Sequence, residues 1–395
     1  MAAWGEIHRL RVADGPDPAV NDLVTRAALI DHHVHSIVRG PVGRTGMSQM
    51  LSESDRPSAA EAGGFDSQVA VALRRWCAPL LGLPALAPME AYLERRDALG
   101  DAEVAARLLA NAGVERLLID TGFRSAELLP VDELGALAGA ETHVVLRLEA
   151  LAEQVAASGV SAASFAAAYR ESLAHEAAGA VAIKSIVAYR AGLDIDPTPP
   201  SPTAVADAAG AWLGRIAATG ALRLSDPVLL RFVLWEGVAT GKPLQIHTGY
   251  GDTDLDLHRC DPLLLTAFLR ATEGRCQILL LHTYPYHRQA GYLAQMFAHV
   301  SMDIGLAVNY AGAQATQLIA ESLELAPFTK VLYSSDAWGL PELHLLGSWL
   351  FRRGMARVLG AWVERGDWSV ADGERVIALV CAENARRVYG LPPAA

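Results

Sequence analysis

Three things are scarce in this 395-residue chain: long apolar runs, paired cysteines and basic charge. No uninterrupted apolar stretch reaches the ~18 residues that a membrane-spanning helix needs. Even the alanine-rich window 151–168 is broken by Gln154, Ser158 and Ser161. The four cysteines (Cys77, Cys260, Cys276 and Cys381) are far apart and form no CxxC pair, which argues against a disulfide scaffold and a zinc ribbon. With 33 basic against 44 acidic residues the net charge is −11, the wrong sign for nucleic acid or anionic lipid as main partner. The start, MAAWGEIHRLRVADG, lacks a basic region followed by an apolar run, so no signal peptide is expected. Hydrophobic residues make up 52% and charged ones 19%, ample for a large core and too apolar for a disordered chain. The expectation is a soluble, cytoplasmic protein whose partner is a small molecule.

Length allows two domains of ordinary size or one oversized α/β barrel. Short runs rich in Val, Ile and Leu predict strands at 27–34, 114–120, 143–148, 180–187, 243–247, 277–282, 299–304 and 330–335. Several are apolar throughout, as parallel strands covered on both faces are. Helical stretches near 226–240, 261–272, 288–297 and 313–325 separate the later ones. Eight strand–helix alternations predict a single-domain (β/α)₈ TIM barrel spanning residues 1–395. Two connections are too long for plain loops. Residues 36–100 follow the first strand, with helices near 66–80 and 88–97. Residues 189–225 follow the fourth, with a helix near 202–218. Both leave the carboxyl end of a strand, so they are expected to form a cap over the site. Residues 341–390 read as a helical C-terminal extension.

The chemistry collects at strand ends. Asp31-His32-His33-Val34-His35 closes the first strand. Residues two apart on a strand share a face, so His33 and His35 can converge on one point, and His32 should point away. Paired imidazoles suit a divalent transition metal, although an isolated HxH serves equally as a histidine-rich turn. The fifth strand ends at His247, the sixth at His282 and the eighth at Asp336. Singly, each is as ordinary as a hydrogen-bonded core residue; together, on four strands, they make a metal set. Lys184 ends the fourth strand and otherwise reads as a lysine reaching to the rim. Arg147 and Glu149 close the third strand, and Tyr189, Arg190 and Trp338 follow the fourth and eighth. An arginine there can grip a carboxylate bidentately, or form a salt bridge between loops. Asp120 is expected to cap a helix, and the Asp252-Thr253-Asp254-Leu255-Asp256 loop to lie beside the mouth, suited to an amine. No GxSxG, GxGxxG, P-loop or HExxH motif competes.

The order HxH, His, His, Asp on strands 1, 5, 6 and 8 resembles the metal-dependent amidohydrolase superfamily. Three stretches, Ile183–Arg190, Leu281–Arg288 and Ser334–Glu342, are similar to a narrower branch, the amidohydrolase-like domains fused to or encoded beside glutamine-synthetase-like proteins. The resemblance implies a divalent metal, zinc by default with manganese or iron as alternatives, held by His33, His35 and His247 with Asp336. Asp336 would also act as general acid and base. His282 would bind a second ion or stabilise the oxyanion. Lys184 matches the position where two-metal members carry a carbamylated lysine, so one or two ions are implied. The implied reaction is hydrolysis of a C–N bond, an amide bearing a carboxylate, with γ-glutamyl amides suggested by the ligase association. The alternatives are a metal-dependent non-oxidative decarboxylase and a non-catalytic barrel that keeps its metal as an assembly or regulatory partner. A homo-oligomer is the expected assembly.

Overall fold

In the computed structural model, residues 12–56 and 63–393 are described. Most of the N-terminal segment read above for a signal peptide, and six residues of the expected first cap insertion, lie outside them. Eight strands form one parallel sheet in chain order: β1 Ile30–Val34, β2 Arg116–Asp120, β3 Glu141–Arg147, β4 Ala180–Ser185, β5 Leu244–His247, β6 Ile278–Leu281, β7 Val300–Ile304 and β8 Val331–Tyr333. Every expected strand is present. The last meets the first just beyond the strand ends, where the Asp336 amide donates to His33 O (3.1 Å) and the His35 amide to Ala337 O (2.9 Å). The fold is a (β/α)₈ barrel.

The helices between strands start where side chains can cap them. Ser201 and Asp226 each precede a proline at the first helical position and accept from backbone amides of the first turn. The expected helix over 261–272 divides into a 3₁₀ turn, Pro262–Leu265, and a helix, Thr266–Thr272. Of the C-terminal stretch, Pro341–Glu364 packs between the helices Asp101–Ala112 and Ala315–Ser322 and is buried on nearly every side over its first twenty residues. Among the described residues, no helix is long and apolar enough to cross a membrane.

Inside the barrel the two-residue period sorts side chains into layers. Ile30, Leu118, Val145, Ala182, Leu279 and Leu332 make an apolar floor, closed from below by Ala382, Ala385, Val388, Tyr389 and Leu391. One layer up, the same strands present Asp120, Arg147, Lys184, Gln245 and Ser334, all buried. The register of β1 slips between Asp31 and Val34. This bulge overturns one expectation. His32 does not point away: its Nδ1 lies 2.7 Å from the Tyr389 hydroxyl and its Nε2 3.6 Å from Asp303, inside the barrel beneath His33.

Candidate metal centre

His33, His35 and Asp336 each offer a ligand atom, and these atoms all lie within 4.8 Å of one another. His33 Nε2 is 3.2 Å and His35 Nε2 3.5 Å from Asp336 Oδ1. The far side of each ring decides its tautomer. Gln245 donates through Nε2 to His32 O (2.8 Å), so its Oε1 faces His33 Nδ1 at 2.8 Å and must accept. His35 Nδ1 faces the Asp120 carbonyl at 3.0 Å. Both rings therefore carry their proton on Nδ1 and turn a lone pair toward Asp336.

Burial pushes His33 down to about 4, helped by the Lys184 charge. Burial would raise Asp336, but the imidazoles of His282, His33 and His35 outweigh it and hold the carboxyl well below its ordinary value. At neutral pH the result is a neutral His33 imidazole beside the Asp336 carboxylate, the protonation states that metal ligation needs of them. Two lone pairs and an anionic oxygen converge, and Asp336 Oδ1 is buried with no hydrogen-bond partner. Such a cluster is repulsive without a cation among its members. The residues fit a divalent metal.

Asp336 and His282 both sit in left-handed backbone, at φ +48° and +59°, a conformation that side chains other than glycine seldom adopt. Their neighbours hold them there. Asp31 accepts from the Ser335 amide (3.0 Å) and hydroxyl (2.5 Å), and Asn309 donates to Ser335 O (3.1 Å). Asp303 accepts from the His282 amide (2.9 Å) and the Ser334 hydroxyl (2.7 Å). Gly249, itself at φ +63°, lets the β5 loop pass so close to the β6 loop that a Cβ would lie 2.3 Å from Tyr284 O and 2.7 Å from His282 O.

The remaining expected site residues divide. His282 Nε2 lies 3.3 Å from Asp336 Oδ2. Lys184 Nζ lies 3.0 Å from His33 Nε2, and burial lowers its pKa to about 8. His247 is not among the residues whose ligand atoms converge at His33, His35 and Asp336. It packs against Tyr189 (ring centroids 4.4 Å apart) and His282 (4.7 Å), and its buried Nε2 has no partner. Arg147 lines the cavity, but both Nε (3.0 Å) and Nη2 (2.6 Å) donate to Asp120 Oδ2. Asp120 is thus a counter-ion that also accepts from the Gly122 amide, in a turn and not at a helix start. Glu149 is fully buried away from the cavity, where it accepts from Ser185 Oγ (2.6 Å) and the Ile186 amide (3.1 Å). It braces the β4 loop and does not line the cavity, so it is not placed to recognise substrate as its position at the end of the third strand suggests.

Above the group opens a cavity of about 310 Å³. Both long connections line it: Gln49, Glu53 and Asp55 from the segment after β1, and Tyr189, Arg190 and Arg223 from that after β4. Trp338 forms one wall with Phe123, their rings edge to face at 5.4 Å. Glu53 and Phe123 carried no signal in the sequence, one lying within a long insertion and the other being an ordinary core residue type.

Comparison with known proteins agrees with this geometry. A proposed metal-dependent hydrolase from Lactobacillus casei, known from its crystal structure, superposes with a TM-score of 0.82 at 28% identity, covering 95% of this chain and 97% of that one. The two chains share one architecture over nearly their whole length. Uronate isomerase from Bacillus halodurans (TM-score 0.61, 15% identity, 95% and 96% covered) and glucuronate isomerase from Caulobacter crescentus (0.60, 15%, 96% of each) share the fold. Protein fluG of Emericella nidulans is 32% identical over 229 residues, 54% of this chain. The match takes in only 26% of fluG, so the chain corresponds to about a quarter of that relative's length. No family model matches the sequence. At 15% identity the isomerases show the fold alone, and none of these likenesses chooses the bond.

Proposed function

We propose that the chain hydrolyses the C–N bond of a small amide that carries a carboxylate, using a divalent metal held by His33, His35 and Asp336. The observation that carries this is Asp336 Oδ1, buried without a partner and faced by two imidazole nitrogens whose tautomers are fixed from behind. A divalent ion held there, zinc first and manganese or iron as alternatives, would supply Lewis acidity and make water a stronger acid at neutral pH. His247, His282 and Lys184 face the same cavity and are the residues on which a second ion would draw.

Asp336 is the general base and then the general acid: it takes the proton of the attacking water and returns it to the departing nitrogen. His282, 3.3 Å from Asp336 Oδ2, orients that carboxylate. Cleavage consumes one water and yields one carboxylate and one amine. The resemblance to barrels found beside glutamine-synthetase-like proteins supports γ-glutamyl amides as the first substrates to try.

The test is product stoichiometry on a panel of γ-glutamyl amides. Amine and carboxylate released one to one support the reading. Carbon dioxide without amine supports the decarboxylase instead, and turnover by His33→Ala at the wild-type rate removes the metal from catalysis.

A further inference from the structure

The cavity above the metal group is sorted by charge. On the β4 side stands Arg190, whose side chain is 10% exposed. Its single ion-pair contact is a long one, Nη2 to Glu153 Oε1 at 3.3 Å, while Nε and Nη1 are buried with no partner. The other cavity arginines are committed: Arg147 to Asp120, Arg223 to Asp254 (2.9 Å) and the Tyr189 carbonyl, Arg124 to Glu127. An enclosed guanidinium with two unused donors lacks an acceptor, and a carboxylate supplies two.

Glu53 and Asp252 line the same cavity. Glu53 accepts from the Tyr310 hydroxyl at 2.6 Å, and burial, with Asp336 and Asp252 adding to it, opposes its ionisation. Neither has a basic side chain within ion-pair distance among the described residues. Two partly buried carboxyls with no cation beside them are incomplete in the same sense as a guanidinium with unused donors. A cavity of about 310 Å³ lies at the small end for ligand sites and holds one small molecule, not a polymer segment.

We propose that this cavity binds a zwitterionic, amino-acid-like amide, its carboxylate on Arg190 and its ammonium between Glu53 and Asp252. This rests on the hydrolase reading for the fate of the amide but not for the binding. Arg190 and the acidic pair recognise the two charges of one molecule, and this places the amide arm over His33, His35 and Asp336. Electrostatic complementarity of this kind discriminates by leaving a buried charge unpaired whenever one end of the ligand is capped.

The experiment is calorimetric binding of three probes to the metal-loaded protein: L-glutamine, N-acetyl-L-glutamine and L-glutamine methyl ester. L-Glutamine is expected to bind about ten-fold or more tighter than either capped form, the scale of one charge-assisted pair. Glu53→Gln combined with Asp252→Asn should weaken L-glutamine and its ester by about that factor and leave N-acetyl-L-glutamine unchanged. Arg190→Met should weaken L-glutamine and the N-acetyl form together and spare the ester. Arg190→Lys, which keeps charge but loses the fork, should recover part of the loss and guards against a folding defect. Equal binding of capped and uncapped probes, no binding of any, or an equal loss for all three in each variant overturns the proposal. Selective binding of L-glutamine without cleavage of any amide upholds the proposal and rejects the hydrolase.

Discussion

The floor and the mouth of this barrel are two ends of one sheet and treat their side chains in opposite ways. At the floor, Ile30, Leu118, Val145, Ala182, Leu279 and Leu332 form one buried apolar cluster with the C-terminal residues Ala382, Ala385, Val388, Tyr389 and Leu391. At the mouth, Asp336 Oδ1, His247 Nε2, His282 Nδ1 and two nitrogens of Arg190 are buried without partners. Each such atom costs about 1–3 kcal/mol in a folded protein. His282 and Asp336 add left-handed backbone at about 1–2 kcal/mol each. The floor contributes stability, and the mouth gives some of it up to hold groups that only a ligand can satisfy. This division matches the general placement of chemistry at the carboxyl ends of barrel strands.

Four substitutions would sharpen or break the comparison. The largest effect is expected at the mouth: Asp336→Asn should lower kcat/KM for amide hydrolysis by about 10²–10⁴-fold while circular dichroism stays native. A loss under ten-fold would mean that Asp336 moves no proton. At the floor, Leu279→Ala should cost about 2–5 kcal/mol in denaturant unfolding, with metal content per folded molecule unchanged. Between the two layers, Gln245→Leu releases His33 Nδ1 from the acceptor that fixes its tautomer. Metal affinity measured by chelator competition should fall by about 10–100-fold, with a smaller change in stability than at Leu279. An unchanged affinity would detach the middle layer from the site.

The smallest effect is electrostatic. Burial, with Asp336 and Asp252 adding to it, raises Glu53 to about 8. A carboxyl whose folded pKa is raised stays protonated at no cost at low pH, and stability drains away as pH climbs from the unfolded value of 4.5 toward 8. Glu53→Gln should therefore gain in Tm relative to wild type steadily between pH 5 and pH 8. A difference independent of pH would show that Glu53 ionises freely in the folded protein.

The barrel was legible because parallel strands buried on both faces leave continuous apolar runs, and all eight fell where those runs lie. His33, His35 and Asp336 were legible because chemistry-bearing residues at successive strand ends must share one mouth. What escaped depends on side-chain direction and on distant convergence. The β1 bulge turned His32 inward, which no two-residue period foretells. Glu149 sits on the turn into a helix, where one step of register separates the cavity wall from a brace under it. Gln245 acts on His33 from 212 residues away, and Glu53 reaches the cavity from within a long insertion. Nothing local marks either.

Metal reconstitution of the chelated protein bears most directly on the centre formed by His33, His35 and Asp336. Amine release from a γ-glutamyl amide should be absent in the stripped protein and return in proportion to added divalent metal, saturating at one or two equivalents. Undiminished amine release by the metal-free protein would contradict a metal-dependent hydrolase.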